Sequence, residues 1–217
     1  MGLGAWVAFG VLTMFVIGHD TRPLPGDGPA LSWSLGHRPA VVAAVARGLT
    51  ATGTGVIPYL LVVLAGLLVG RTGRHRLVCA ALAVGCLAAG QAGRYGLMAL
   101  IDRPRPPGAD WLTHASGWSF PSGHTTTAAL TAGIVVVALL VRAPRGGKPL
   151  AVAVGCWGAL VGLTRIYLGV HWFTDVLGGW LLAVGWLGLC LCAAAWWLPD
   201  HFTQRPHPPP PTRVGGA

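Results

Sequence analysis

Residues 121–141 read Pro-Ser-Gly-His followed by TTTAALTAGIVVVALLV, a polar tetrapeptide placed directly before an apolar run. The run is close to the roughly 20 residues that a helix needs to cross a bilayer. Ser122 is of a type favoured as an N-cap, and the amides of a helix start bind anions. Gly123 lets the backbone approach a ligand closely, with His124 in the first turn beside it. The stretch predicts a membrane helix that begins at an anion site, although a plain N-cap with an incidental histidine would look the same.

The composition of the whole chain points to lipid as its solvent. Of 217 residues, 53% are hydrophobic and only 10% are charged, whereas soluble domains carry about 25% charged residues. Glutamate is absent and Lys148 is the only lysine, so the formal net charge of +9 comes almost entirely from arginine. These arginines lie in short loops between apolar runs. Such a distribution favours membrane lipids as partners and argues against nucleic acid, which needs a solvated basic face.

Six apolar spans are predicted, which gives an all-α fold: an integral membrane six-helix bundle over residues 1–198. The spans cover about residues 3–18, 53–70, 77–101, 123–141, 150–168 and 176–198. The first is expected to be a retained anchor and not a signal peptide. Residues 19–36, rich in Pro and Gly, are predicted to form a loop. Residues 39–52 form either an amphipathic helix at the interface or the start of the second span. Residues 199–217 are predicted to be a disordered, Pro-rich cytoplasmic tail.

The basic residues predict the orientation of the bundle. They are concentrated after the second and fourth spans and in the tail, as Arg71, Arg74, Arg76, Arg142, Arg145, Lys148, Arg205 and Arg213. Positively charged loops stay in the cytoplasm, so both termini are predicted to be cytoplasmic. The start of the fourth span, with its Ser-Gly-His motif, then faces the outside of the cell.

A second polar cluster, Arg103-Pro104-Arg105-Pro106, follows the third span and falls on the same predicted side. Its prolines restrict the backbone, so both arginines project from a stiff segment. Charged residues beside the hydrocarbon are costly, and their presence at this depth indicates a functional site by default. Alone, this cluster would also fit a rigid basic loop end.

The third cluster joins Arg165, His171 and Asp175. His171 and Asp175 are four residues apart and share one face if the segment is helical, so the carboxylate can hold one ring nitrogen and leave the other as a nucleophile. Arg165, across a predicted turn at Gly169, can offer a charge-assisted fork to phosphate oxygens. A structural Arg–Asp pair with a spectator histidine is one alternative, and a His/Asp metal site is another.

Together the three clusters resemble the signature of the type 2 phosphatidic acid phosphatase superfamily, membrane lipid phosphatases related to vanadium haloperoxidases and bacterial acid phosphatases. That signature is Lys-x6-Arg-Pro, then Pro-Ser-Gly-His, then Ser-Arg-x5-His-x3-Asp. Arg105-Pro106 matches the end of the first part, Pro121–His124 match the second, and residues 164–175 match the third with Thr164 in place of serine. The resemblance covers about residues 50–190.

The resemblance implies a two-step mechanism without a metal or a cofactor. His171 attacks phosphorus and forms a phosphohistidine, and Asp175 orients it. His124 protonates the leaving oxygen and then activates water. The phosphate oxygens are held by Arg105, Arg165 and the backbone of Ser122 and Gly123.

One position departs from the signature. The family lysine should lie seven residues before Arg105, where this chain has Met98, which cannot contact a phosphate electrostatically. Arg94, one turn earlier on the same helix face, is the predicted replacement. The loss of the lysine motivates one alternative function, a catalytically weak protein that binds lipid phosphate. A transporter is a second alternative, since polar groups among apolar spans also mark transport paths.

The sequence therefore predicts a lipid phosphatase of a bacterial cell membrane with its active site outside. A polyprenyl diphosphate, phosphatidic acid and phosphatidylglycerol phosphate all fit as substrates. The five cysteines lie within apolar runs without a CxxC motif, so they are predicted to be small buried hydrophobic residues.

Overall fold

A computed structural model of the chain describes residues 2–143 and 146–197. These residues form eight α-helices and one 3-10 helix, with no strand among them, which confirms the predicted all-α fold. The helices are α1 (Gly2–Gly18), α2 (Asp27–Gly36), α3 (Ala40–Ala51), α4 (Val56–Val69), α5 (Gly73–Ile101), α6 (Gly123–Arg142), α7 (Lys148–Tyr167) and α8 (Phe173–Trp197), and the 3-10 helix is Gly108–Asp110. The predicted tail at residues 199–217 lies outside the described residues.

Four of these helices, α5 to α8, are long and apolar enough to cross a membrane. Helices α3 and α4 pass the same test only as a pair, bent by 53°, and α1 is apolar but has 17 residues. Most of the stretch 39–52 is thus a separate helix, and it leads into α4 through the bend. The bend falls at Gly55, whose φ of +70° is readily adopted only by glycine.

The loop predicted for residues 19–36 is wrong in its second half, where α2 begins at Asp27. Gly26 turns the chain into this helix with a φ of +98°. The Asp27 carboxylate accepts a hydrogen bond from the Leu24 backbone N–H at 2.8 Å and so closes the entry turn. Pro29 lies in the first turn, where a proline costs no helical hydrogen bond. The helix could not be recognised from its local composition, because it is stabilised at its start by Asp27, an acidic residue that is buried in the fold.

The centre of the bundle is α6, which packs against α4, α5, α7 and α8. Its buried side chains are mostly Thr and Ala, and close packing of small residues holds helices together in lipid. A Cβ on Gly158 of α7 would lie 2.8 Å from the Cβ of Ala132 on α6, so this contact needs glycine. Large apolar side chains cover the outside, among them Leu64, Leu82, Leu163 and Leu189. Cys156 and Cys192 are also exposed there, and in this respect the prediction of buried cysteines is wrong.

The three polar clusters meet at one end of the bundle through backbone hydrogen bonds. The Ser122 N–H donates to the Asp175 carbonyl at 3.0 Å and joins the starts of α6 and α8. The Ser119 N–H donates to the Arg103 carbonyl at 2.7 Å and ties this region to the end of α5. The predicted turn at Gly169 is present, with a φ of +74°. The chain between α5 and α6 therefore folds back over the end of α7 and the start of α8.

Candidate active site

A cavity of about 570 Å³ opens at this end of the bundle. Its wall contains members of all three clusters, together with the predicted replacement for the family lysine. They are Arg94, Arg105, Gly123, His124, Arg165 and His171. Residues from four separate parts of the sequence therefore share one polar chamber.

His171 lies just before α8, and Asp175 lies in the first turn of that helix. The Nδ1 atom of His171 is 3.3 Å from Oδ2 of Asp175, which leaves Nε2 for chemistry. Burial lowers the pKa of His171 to about 4, although the hydrogen bond with Asp175 acts in the opposite direction. The ring is therefore neutral at neutral pH, the state in which a histidine nitrogen is a nucleophile.

The carboxylate of Asp175 is fully buried and held from several sides. Its Oδ2 atom also accepts the Trp172 N–H at 2.8 Å and the hydroxyl of Ser119, while Oδ1 accepts a charge-assisted bond from Arg103 at 2.6 Å. These bonds fix the rotamer of Asp175. Through Nδ1, that rotamer fixes the ring of His171.

The guanidinium of Arg105 lies directly against the other nitrogen of His171. Its Nη1 is 2.9 Å from His171 Nε2 and also donates to the Val170 carbonyl at 2.8 Å. Its Nε and Nη2 donate to the carbonyls of residues 116, 117 and 118. All five N–H groups that an arginine carries thus have partners. Burial lowers the pKa of Arg105 to about 10, and the group stays cationic at neutral pH.

Arg165 is almost fully buried and keeps donors available. Its Nη1 donates to the Thr50 hydroxyl at 3.0 Å, while Nε has no hydrogen-bond partner among the described residues. A buried donor without a partner carries a free-energy cost of about 1–3 kcal/mol. An anion bound within hydrogen-bonding distance of Nε would remove that cost.

Arg94, the predicted replacement for the family lysine, lies against the start of α6. Its Nε donates to the Pro121 carbonyl at 3.2 Å, and its Nη2 is 3.2 Å from the sulfur of Met98. A Cβ on Gly123 would lie 2.7 Å from Nη2 of Arg94, so this close approach depends on glycine. Among the described residues, the Nη1 atom of Arg94 has no hydrogen-bond partner.

Ser122, like Asp175, is a predicted site residue that does not line the cavity. It occupies the N-cap position of α6, but its side chain makes no capping hydrogen bond. Its hydroxyl instead accepts from Thr125 at 2.9 Å, and its N–H is committed to the Asp175 carbonyl. Ser122 therefore joins two helices, whereas Gly123 and His124 face the chamber. The His124 Nε2 atom is 3.4 Å from the Thr54 hydroxyl.

Several residues of this region were missed by the sequence analysis. Thr50 and Thr54 contact Arg165 and His124 from the bend between α3 and α4, and Ser119 supports Asp175. The two arginines of the second cluster also differ: Arg103 is fully buried between carboxylates and does not line the cavity. Lone threonines in an apolar stretch carry no signal of their own. A buried arginine is expected to pair with a carboxylate, and the chain offers only six acidic residues as partners.

The charge of the chamber suits an anion. Three arginines and three histidines line it, the third histidine being His114, and Asp175 behind His171 is the one carboxylate that contacts them among the described residues. Within residues 2–143 and 146–197, no group of three or more His, Cys, Asp or Glu side chains could hold a metal ion.

Comparisons with known proteins point to one family. Residues 76–199 match the family model of the PAP2 superfamily. Phosphatidylglycerophosphatase B of Bacillus subtilis (strain 168) is 41% identical over 87 residues, which are 39% of this chain and 42% of that protein. Undecaprenyl-diphosphatase BcrC of the same strain is 34% identical over 137 residues, 61% of this chain and 66% of that protein. Both alignments span less than two thirds of the relative.

A solved structure shares the fold over most of the chain. The crystal structure of the first transmembrane PAP2 type phosphatidylglycerolphosphate phosphatase from Bacillus subtilis superimposes with a TM-score of 0.76. The match covers 90% of this chain and 96% of that chain at 24% identity. The arrangement of apolar helices is therefore that of an integral membrane protein.

Proposed function

Because the chain belongs to the PAP2 superfamily, we propose that it is a membrane phosphatase that hydrolyses a lipid phosphate or a polyprenyl diphosphate through a phosphohistidine. One observation carries the proposal. His171 is anchored through Nδ1 by Asp175, and it lines a chamber that three arginines also line. The relatives named as a phosphatidylglycerophosphatase and an undecaprenyl-diphosphatase support both substrate classes.

In the first step, Nε2 of His171 attacks phosphorus, and the bond from phosphorus to the leaving oxygen breaks. His124 enters this step as an imidazolium and gives its extra proton to that oxygen, so the lipid departs as an alcohol or a monophosphate and His124 is left neutral. The charge that spreads over the phosphoryl oxygens is met by Arg94, Arg165 and the amide of Gly123. Arg105 leaves Nε2 as phosphate arrives and turns an N–H group towards an oxygen.

In the second step, the neutral His124 takes a proton from water, and the water oxygen attacks phosphorus. The bond between phosphorus and Nε2 breaks, and its electron pair returns to His171. The product is inorganic phosphate. Asp175 stabilises the positive charge that the ring of His171 carries while it is phosphorylated.

We expect catalysis to proceed without a divalent metal, because cationic side chains already supply the charge that a metal would bring. The test is phosphate release by the purified protein from phosphatidic acid, phosphatidylglycerol phosphate and undecaprenyl diphosphate, with excess EDTA present. The rate should be nearly unchanged by EDTA, and vanadate should inhibit. A loss of activity that magnesium or zinc restores would contradict metal independence, and no release from any lipid would contradict the proposed function.

We further propose that α1 and the bent pair α3–α4 complete six spans, with the chamber outside the cytoplasm and both termini inside. Arginines and Lys148 at the opposite ends of the helices support this orientation. Ala109 and Gly146 are exposed near the two ends of the bundle. With the five native cysteines replaced by alanine, Ala109→Cys should react with an impermeant thiol reagent in whole cells, and Gly146→Cys should react only after lysis. The reverse pattern would overturn the orientation.

A further inference from the structure

Asp27, on the helix α2 that the sequence did not reveal, is fully buried against the back of the active site. Its Oδ2 accepts the Arg103 Nη2–H at 2.6 Å, and its Oδ1 accepts the Thr174 backbone N–H at 2.9 Å. The Thr174 hydroxyl bonds to the same carboxylate at 2.9 Å. Thr174 is the residue before Asp175. Asp27 lies outside residues 76–199, and none of the proposed catalytic steps uses it.

Arg103 connects Asp27 to the residue that orients the nucleophile. Its Nη2 bonds to Asp27, and its Nη1 bonds to Oδ1 of Asp175 at 2.6 Å. The side chains of all three residues are 0% exposed, so water does not screen their charges. Two carboxylates and one guanidinium leave a single net negative charge on this triad. The edge of the triad that faces the chamber is Oδ2 of Asp175, which contacts His171.

We propose that Asp27 is a positioning residue, which acts through Arg103 to keep Asp175 an effective partner for His171. With Asp27 present, the charge of Arg103 is shared between two carboxylates. Without it, Arg103 would be neutralised by Asp175 alone, and that carboxylate would stabilise a positive ring on His171 less well. This inference rests on the proposed function, since it concerns the phosphorylated histidine.

The first test is Asp27→Asn, assayed with the lipid that the parent hydrolyses best. The turnover number kcat should fall about tenfold or more, as is common when the support of a reactive group is removed, while KM should stay within about twofold. The matched control is Asp102→Asn. Asp102 precedes Arg103 in the chain, is exposed and has a φ of +51°, a conformation that asparagine also adopts. The control should keep the parental kcat.

A second variant separates the charge effect from a structural one. In Asp27→Asn with Arg103→Gln, the guanidinium is removed together with the Asp27 carboxylate, so the net charge of −1 is restored and lies on Asp175. The double variant should recover part of the kcat lost by Asp27→Asn. If Asp27 merely supported the fold, the double variant, with two altered buried groups, would be worse than the single one.

The outcomes separate this inference from the proposed function. An inactive parent contradicts both, whereas an active parent with an unchanged kcat in Asp27→Asn overturns the role of Asp27 alone. A double variant slower than the single one also overturns it. If Asp27→Asn does not give a monodisperse protein in detergent, the Arg103→Lys variant is used to test the role of Asp27 instead. Its single ammonium keeps the charge but cannot bridge both carboxylates, so a lower kcat at unchanged KM supports the inference, and a parental kcat rejects it.

Discussion

Replacing His171 with alanine is expected to remove turnover and leave the fold in place. Without Nε2 there is no phosphohistidine, and a direct attack by water would lose the covalent route. The loss should be at least about 100-fold, the lower end of what positioned acid–base groups contribute. Asp175 would keep its bonds to Arg103 and to the Trp172 N–H, so the start of α8 should remain ordered.

The measurement is phosphate release per mole of monodisperse protein, together with trapping of an acid-labile phosphoenzyme. The parent should yield the phosphoenzyme during turnover, and His171→Ala should not. A matched control is His37→Ala, because His37 is exposed and stacks on Trp33 away from the chamber. A His171→Ala protein that keeps more than about one hundredth of the parental rate would exclude His171 as the nucleophile.

The features that could be predicted from the sequence are those that local composition controls. A run such as residues 123–141 is apolar whatever surrounds it, so its helix was predicted within a residue of the observed end at Arg142. The encounter of His171, His124 and Arg165 followed from hydropathy, because successive spans return alternate loops to the same side. In these respects the bilayer simplifies the problem, since it allows few ways to arrange the chain.

The features that could not be predicted depend on partners far away in the sequence. Helix α2 is anchored by the bond between Asp27 and Arg103, which are 76 residues apart, and its local sequence reads as a Pro/Gly loop. The bend at Gly55, which brings Thr54 to His124, likewise depends on packing against α6. Neither the bond between Asp27 and Arg103 nor the packing of the bend against α6 can be recognised from short-range sequence patterns.

The two arginines of the Arg-Pro-Arg-Pro segment illustrate the same limit. In the sequence Arg103 and Arg105 are equivalent, each followed by a proline. In the fold they point to different sides: Arg105 contacts the nucleophile, and Arg103 contacts the carboxylate behind it. The two residues are only two positions apart, and their spacing does not explain why their side chains have different surroundings. The difference comes from the parts of the chain that fold around them. Carbonyls of residues 116–118 hold Arg105, and Asp27 holds Arg103.

Arg94→Ala is expected to lower the rate about 100-fold, the effect of losing one donor to a developing oxyanion. Arg94 is 7% exposed, lies on Gly123 and contributes to the chamber wall, so it stands where a phosphate at the start of α6 would meet it. Met98 lines the same wall and touches Arg94 through its sulfur. A lysine at position 98 could therefore bring an ammonium into the volume that the missing guanidinium leaves.

We accordingly expect Met98→Lys, added to Arg94→Ala, to restore the rate to within about tenfold of the parent, since one buried cation replaces another. The control for a nonspecific effect of positive charge is Leu100→Lys in the same Arg94→Ala background. Leu100 is on the same helix end but is 82% exposed on the outside, so this lysine should restore nothing. The kcat of each variant is measured on one lipid substrate. Only variants that elute in detergent at the same volume as the parent are compared.

A parental rate in Arg94→Ala would contradict the replacement of the family lysine by Arg94. The phosphate would then depend on Arg105 and Arg165 alone. Arg103 could not join them, because its guanidinium is bound between Asp27 and Asp175 with no exposed surface. Arg105 could do so only by giving up bonds to the loop carbonyls and to His171. Since Arg94 and Arg165 keep donors without a partner among the described residues, the geometry favours these two as phosphate contacts, and the Arg94→Ala rate tests the contribution of Arg94.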